Sequence, residues 1–130
     1  AIVLGLTWNK GSAHFQLQPS GDELLYERVL RTVSTWGSPD SLMFVIGATQ
    51  ADEFSTIRSI LPDHFFLVPG VGAQGGSLRE ISEKALIPGE CGILVNASRS
   101  IIYASDNKNF DSAAREIAKE YSTEMATYLR

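Results

Sequence analysis

His64-Phe65-Phe66-Leu67-Val68-Pro69-Gly70-Val71-Gly72-Ala73-Gln74-Gly75-Gly76 runs from a short, mostly apolar segment through a proline into a loop with four glycines. From about Ser77 to Leu86 the sequence takes on helical periodicity, and Pro88 and Gly89 then mark a turn. An apolar run closed by a loop and followed by a helix is one βα unit. A run without polar alternation is what a strand covered on both faces requires.

The same unit recurs on either side. Downstream, Gly92 to Val95 is apolar and leads through Asn96-Ala97-Ser98-Arg99-Ser100-Ile101-Ile102 to a helix predicted from about Asp111 to Leu129. Upstream, Leu42 to Gly47 precedes a helix over about Ala51 to Leu61, which places Phe54, Ile57, Ile60 and Leu61 inward and stops at Pro62. The first run is Ala1 to Thr7. After the polar connection Trp8 to Pro19, a helix predicted over Asp22 to about Trp36 puts Leu24, Leu25, Val29, Leu30 and Val33 on one face, and Gly37 and Pro39 end it.

Four βα units in series predict an α/β fold with a parallel sheet. Periodicity alone does not separate an open doubly wound sheet from part of a barrel. A closed (β/α)8 barrel takes roughly 250 residues, so if these four units belong to a barrel, 130 residues would be about half of one. Such a piece has two unpaired strand edges, which proteins normally cover. The expectation is one domain over residues 1–130, a half-barrel if the sheet is part of a barrel, its edges covered by a complementary half or a second chain. Ala1 opens directly into an apolar run, which suggests a cut from something longer.

Composition narrows the function classes. The chain is 44% hydrophobic and 20% charged, the balance of an ordinary globular domain. A net charge of -4 with scattered cations argues against nucleic-acid binding, which needs clustered positive charge, but leaves room for a small anion. No apolar run approaches the roughly 18 residues of a membrane span. The chain has no basic leader at its start, and a cytoplasmic protein is expected. Cys91, the single cysteine, has no internal disulfide partner and no zinc or redox spacing around it. His14 and His64 likewise lack metal or triad spacing, and all three residues read as structural.

In parallel α/β folds the chemistry sits where the βα loops leave the strands. The glycines at 70, 72, 75 and 76 let the backbone approach a ligand and present N-H groups, although a flexible turn has the same composition. Ser98 and Arg99 follow the last strand directly, and an arginine fork suits phosphate oxygens. The loops after the seventh and eighth strands of such barrels often form a phosphate site. In the first connection, Trp8, Asn9 and Lys10 face either a base and sugar or solvent. Gly47-Ala48-Thr49 are small residues that either leave room for a ligand or pack against the following helix, and helix packing is the expectation.

The segments Phe66 to Gly76 and Ile93 to Tyr103 resemble the last two βα loops of the orotidine 5'-monophosphate decarboxylase family. Thr7 to Ser12 and Val45 to Thr49 look like that barrel's fifth and sixth strand ends, so the resemblance extends over nearly the whole chain. It implies the C-terminal half of a (β/α)8 barrel whose complete form converts orotidine 5'-monophosphate to uridine 5'-monophosphate and carbon dioxide. That enzyme works without a cofactor, usually as a homodimer. By the same resemblance, Pro69 and Val71 line the base pocket, Gln74 bridges pyrimidine and phosphate, and Arg99 with the backbone near Ser98 holds the phosphate.

Two departures accompany the likeness. Many relatives carry glycine where Ser98 stands, and a serine that touches the pyrimidine corresponds to Trp8. The family's Asp-x-Lys-x-x-Asp catalytic segment belongs to the third strand. The expectation is that this spacing does not occur in these 130 residues and that no residue of the chain is catalytic. The remaining alternatives are a non-catalytic half-barrel that binds a phosphorylated metabolite and another barrel enzyme sharing only the phosphate site.

Overall fold

A computed structural model describes residues 2–6, 12–49, 51–72 and 74–129. Four strands, β1 (Ile2–Leu6), β4 (Leu42–Ile46), β5 (Phe65–Pro69) and β6 (Ile93–Asn96), form one parallel sheet in the order β1-β4-β5-β6. The register runs from Phe44 to Phe66 to Ile93, and Pro69 pairs with Asn96 at the exit of the last two strands. The predicted strands are therefore all present, within about a residue of their expected ends.

Helices α2 (Leu25–Ser34), α3 (Glu53–Ile60) and α4 (Leu78–Ala85) follow β1, β4 and β5, and the 17-residue α6 (Phe110–Ala126) follows β6. Leu30, Val33, Phe54, Ile57, Ile81 and Ala85 from the helices pack with Leu42, Phe44, Ile46, Phe66, Val68 and Ile93 from the strands. Side chains alternate across a strand, so Met43, Val45, Phe65, Leu67 and Leu94 lie on the other face. These residues are apolar yet only partly covered; Phe65 is 37% and Leu94 56% exposed. A parallel sheet covered by helices on one face and apolar on the other is the wall of a barrel. Four βα units thus make half of a (β/α)8 barrel. Among the described residues no helix is long and apolar enough to cross a membrane.

The connection after β1 holds more structure than a polar loop. It contains a helical turn, α1 (Ala13–Gln16), and a small antiparallel pair, β2 (Pro19–Ser20) with β3 (Glu23–Leu24). The helix predicted from Asp22 therefore begins only at Leu25. Leu24 precedes it, and the Leu24 N-H donates to the Glu27 carboxylate at 2.7 Å. Tyr26, absent from the predicted inner face, is buried there and donates its hydroxyl to Glu53 at 2.7 Å, joining α2 to α3. Burial, reinforced by that carboxylate, raises the Tyr26 pKa.

At the end of the sheet where β5 and β6 begin, Arg58 binds several carbonyls at once. Its guanidinium donates to Ala85 O at 2.6 and 2.9 Å, to His64 O at 2.7 Å and to Leu61 O at 3.0 Å. It also stacks 3.7 Å from the centroid of the Phe66 ring. These acceptors include C-terminal helix carbonyls that have no intrahelical partner. Burial lowers the pKa of Arg58 to about 10, which leaves it charged at neutral pH. His64 lies beside it, buried and edge-on to Phe44, with desolvation pushing its pKa below the ordinary histidine value. Cys91 is half-buried, and its thiol donates to Ile93 O at 3.4 Å. Both sit in the packing, as expected of structural residues.

Candidate functional site

The exits of β5 and β6 are neighbours in the sheet, so the loop after each strand faces the other. Between them lies a cavity of about 150 Å³ lined by Pro69, Gly70, Val71, Gln74, Asn96, Ala97, Ser98 and Arg99. All five residues singled out from the sequence, Pro69, Val71, Gln74, Ser98 and Arg99, are thereby brought together. Gly70, one of the glycines expected to let the backbone approach a ligand, also lines it, and Asn96 and Ala97, which the sequence did not point to, complete the lining. Pairing of Pro69 with Asn96 is the contact that would have found Asn96, and it is invisible without the register.

The glycine-rich loop is closed on itself. Gly72 N donates to Gly76 O at 2.9 Å, Gly75 N to Gly72 O at 2.8 Å and Gly76 N to Gly70 O at 3.2 Å. This corrects the expectation that the cluster presents its N-H groups to a ligand, because these three are used within the loop. Gly70 has φ +95°, where a side chain would be strained, and a Cβ there would sit 2.8 Å from Gln74 Oε1. The absence of that atom lets the Gln74 amide fold back over the loop toward the cavity. Gly76 answers to close approach instead: a Cβ would lie 2.5 Å from the Ala48 Cβ. Ala48 is buried in the core with Phe54 and Ile57 of the helix after β4, in line with the expected helix packing, and its small side chain also admits this loop; its N-H donates to Pro69 O at 2.9 Å.

Val71 is only 3% exposed and belongs to the core, so it serves as a wall. Ser98 and Arg99 lie in the first turn of a short helix, α5 (Ser98–Ile102), where the sequence predicts a loop. Arg99 is exposed, and its guanidinium makes no hydrogen bond or ion pair with a described residue. The Ser98 hydroxyl donates to Asn96 Oδ1 at 2.7 Å. Chemically, the cavity offers one cation, two amides and apolar walls, a set suited to an anion attached to a less polar body. Residues 7–10, on which the possible base contacts of Trp8, Asn9 and Lys10 fall, lie outside the described residues.

The absence expected for the Asp-x-Lys-x-x-Asp spacing needs correction. Asp106-Asn107-Lys108-Asn109-Phe110-Asp111 has that spacing. It falls in the connection between α5 and α6 and the first residues of α6, where all six residues are exposed and none lines the cavity. The spacing is therefore not carried on a strand, and it does not bring a lysine and two carboxylates to the strand exits. Among the described residues no group of three or more His, Cys, Asp or Glu is placed to hold a metal ion.

No protein-family model matches the chain. Curated relatives do match it from end to end. The orotidine 5'-phosphate decarboxylase of Bacteroides fragilis is 48% identical over 130 residues, covering 99% of this chain and 47% of its own length. That of Porphyromonas gingivalis is 49% identical over 130 residues, with the same coverage of each chain. Among solved structures, UMP synthase of Leishmania donovani superposes with a TM-score of 0.77 at 32% identity, over 95% of this chain and 27% of that one. OMP decarboxylase of the same organism gives 0.76 at 31% identity, over 95% and 46%. The chain spans about half the length of the curated relatives it matches.

Proposed function

We propose that this chain, homologous along its whole length to part of the orotidine 5'-phosphate decarboxylases, is the C-terminal half-barrel of such an enzyme and holds the phosphate and pyrimidine of its nucleotide. The observation that carries the reading is the single cavity at the exits of β5 and β6, which gathers Pro69, Val71, Gln74, Ser98 and Arg99. Its size supports a division of labour. Whole small-molecule sites run to roughly 300–1,000 Å³, whereas about 150 Å³ suits the phosphate end of a nucleotide. The remaining walls, with the lysine and aspartates of the reaction, come from the complementary half, which also covers the apolar face of Met43, Val45, Leu67 and Leu94. The complete enzyme is a cofactor-free carboxy-lyase of pyrimidine biosynthesis, acting in the cytoplasm as a homodimer.

In this reading the chain's own groups act at a distance from the reacting carbon. The Arg99 guanidinium pairs with phosphate oxygens, Gln74 links phosphate and base, and Pro69 and Val71 limit the tilt of the pyrimidine. Binding energy from this non-reacting end offsets the cost of orienting and straining the substrate. Calorimetric titration with uridine 5'-monophosphate and with uridine tests the assignment. The nucleotide is expected to bind at least about tenfold more tightly than the nucleoside, since one charge-assisted contact contributes about 1.5–3 kcal/mol. Equal affinities would remove the phosphate from the cavity.

A further inference from the structure

Asn96 ends β6 opposite Pro69 and lines the same cavity as Arg99, yet its side chain is oriented from within the loop. An asparagine amide has one acceptor oxygen and two N-H donors. Here the oxygen is engaged, because the Ser98 hydroxyl donates to Oδ1 at 2.7 Å. Two consequences follow from that bond. The Ser98 hydroxyl hydrogen is committed to Asn96 and is not offered to an anion. The Asn96 amide is turned so that its acceptor faces Ser98, which leaves Nδ2 as its free polar group, and no described residue accepts from it.

We propose that Asn96 is an anion-binding residue of this cavity, donating from Nδ2 to a phosphate held by Arg99, with Ser98 as the positioning residue that fixes the amide. The inference rests on the proposed reading of the cavity as a phosphate site. It adds a neutral donor to the guanidinium on the β6 side, where the sequence pointed to Arg99 and Ser98 alone. A neutral donor and a cation at one wall favour a phosphate monoester over a neutral nucleoside. A carboxylate at position 96 would turn the same wall against it.

The test uses the full-length protein titrated with uridine 5'-monophosphate and with uridine, comparing the native protein with N96A, N96D and S98A. Position 96 is exposed, so these variants should keep the native fold, which far-ultraviolet circular dichroism checks. N96A is expected to lose about tenfold in affinity for the nucleotide and nothing for the nucleoside. N96D, which keeps the shape and the Ser98 bond, should lose at least as much. S98A, which frees the amide to rotate, should lose roughly threefold. Unchanged nucleotide affinity in both N96A and N96D, with native discrimination intact, would overturn the role of Asn96 and leave the phosphate site standing. A native protein that does not distinguish nucleotide from nucleoside would overturn the site and this inference with it.

Discussion

Arg99→Ala weakens binding of uridine 5'-monophosphate by about ten- to a hundredfold or more and leaves uridine unaffected, because charge-assisted hydrogen bonds contribute about 1.5–3 kcal/mol and 1.4 kcal/mol is a decade. The guanidinium lines the cavity and has no ion pair or hydrogen bond among the described residues, so its charge is available to a ligand. Arg99→Lys should recover only part of the loss, since an ammonium keeps the charge but not the two-pronged geometry. Thermal stability should barely move, as an exposed side chain in the first turn of α5 supports little packing. Gln74→Ala should show a related loss, and the two should couple in the double variant if both touch one phosphate. Calorimetry on the native protein and these four variants reads all of this. If the alanine variant discriminates nucleotide from nucleoside as well as the native protein does, Arg99 is a solvated surface charge.

The second large effect is on stability. Gly76→Ala places a methyl group 2.5 Å from the Ala48 Cβ, 2.8 Å from Gly70 O and 3.1 Å from Ala48 O. Two of these three neighbours are backbone, so relief requires moving the loop against the end of β4. The movement also strains the Gly76 to Gly70 hydrogen bond at 3.2 Å and the Ala48 to Pro69 bond at 2.9 Å. Overpacking of this kind costs about 1–3 kcal/mol and a lost backbone bond about 1 kcal/mol more. Denaturant unfolding should therefore show a loss of roughly 2–4 kcal/mol, accompanied by weaker nucleotide binding as Gly70 and Gln74 shift. Gly75→Ala is the comparison. A Cβ there meets nothing within 4 Å, but φ is +92°, so its penalty is conformational only, on the order of 1 kcal/mol. Equal stability of the native protein and Gly76→Ala would show that this close approach does not hold in solution.

Much of the fold was legible because its signals are local. Leu42 to Gly47, Phe65 to Val68 and Gly92 to Val95 are continuous apolar runs, and their alternation with stretches of helical period is what marks them as parallel strands. The residues that line the candidate site were reached by two other routes, Ser98 and Arg99 by their place directly after a strand and Pro69, Val71 and Gln74 by the likeness of their loop to known ones. What escaped depends on contacts made across the chain. Nothing near Arg58 in sequence says that it reaches Ala85 O, 27 residues away, or that Gly76 lies on Ala48. The β2 and β3 strands have two residues each and α5 has five, too few for a period to declare itself. The Asp106, Lys108 and Asp111 spacing teaches the converse lesson, since a catalytic pattern in letters falls outside the strands and its residues do not line the cavity.

The most direct test of the central claim is a chimaera. In the Bacteroides fragilis orotidine 5'-phosphate decarboxylase, which is 48% identical over 130 residues, the matching segment is replaced by residues 1–130 of this chain and turnover of orotidine 5'-monophosphate is measured. If this chain is the phosphate-binding half of such an enzyme, the chimaera decarboxylates the substrate, and Arg99→Ala within it lowers kcat/KM by about ten- to a hundredfold or more. A folded chimaera that binds uridine 5'-monophosphate but releases no carbon dioxide would contradict the account and leave a half-barrel that binds phosphate without serving this reaction.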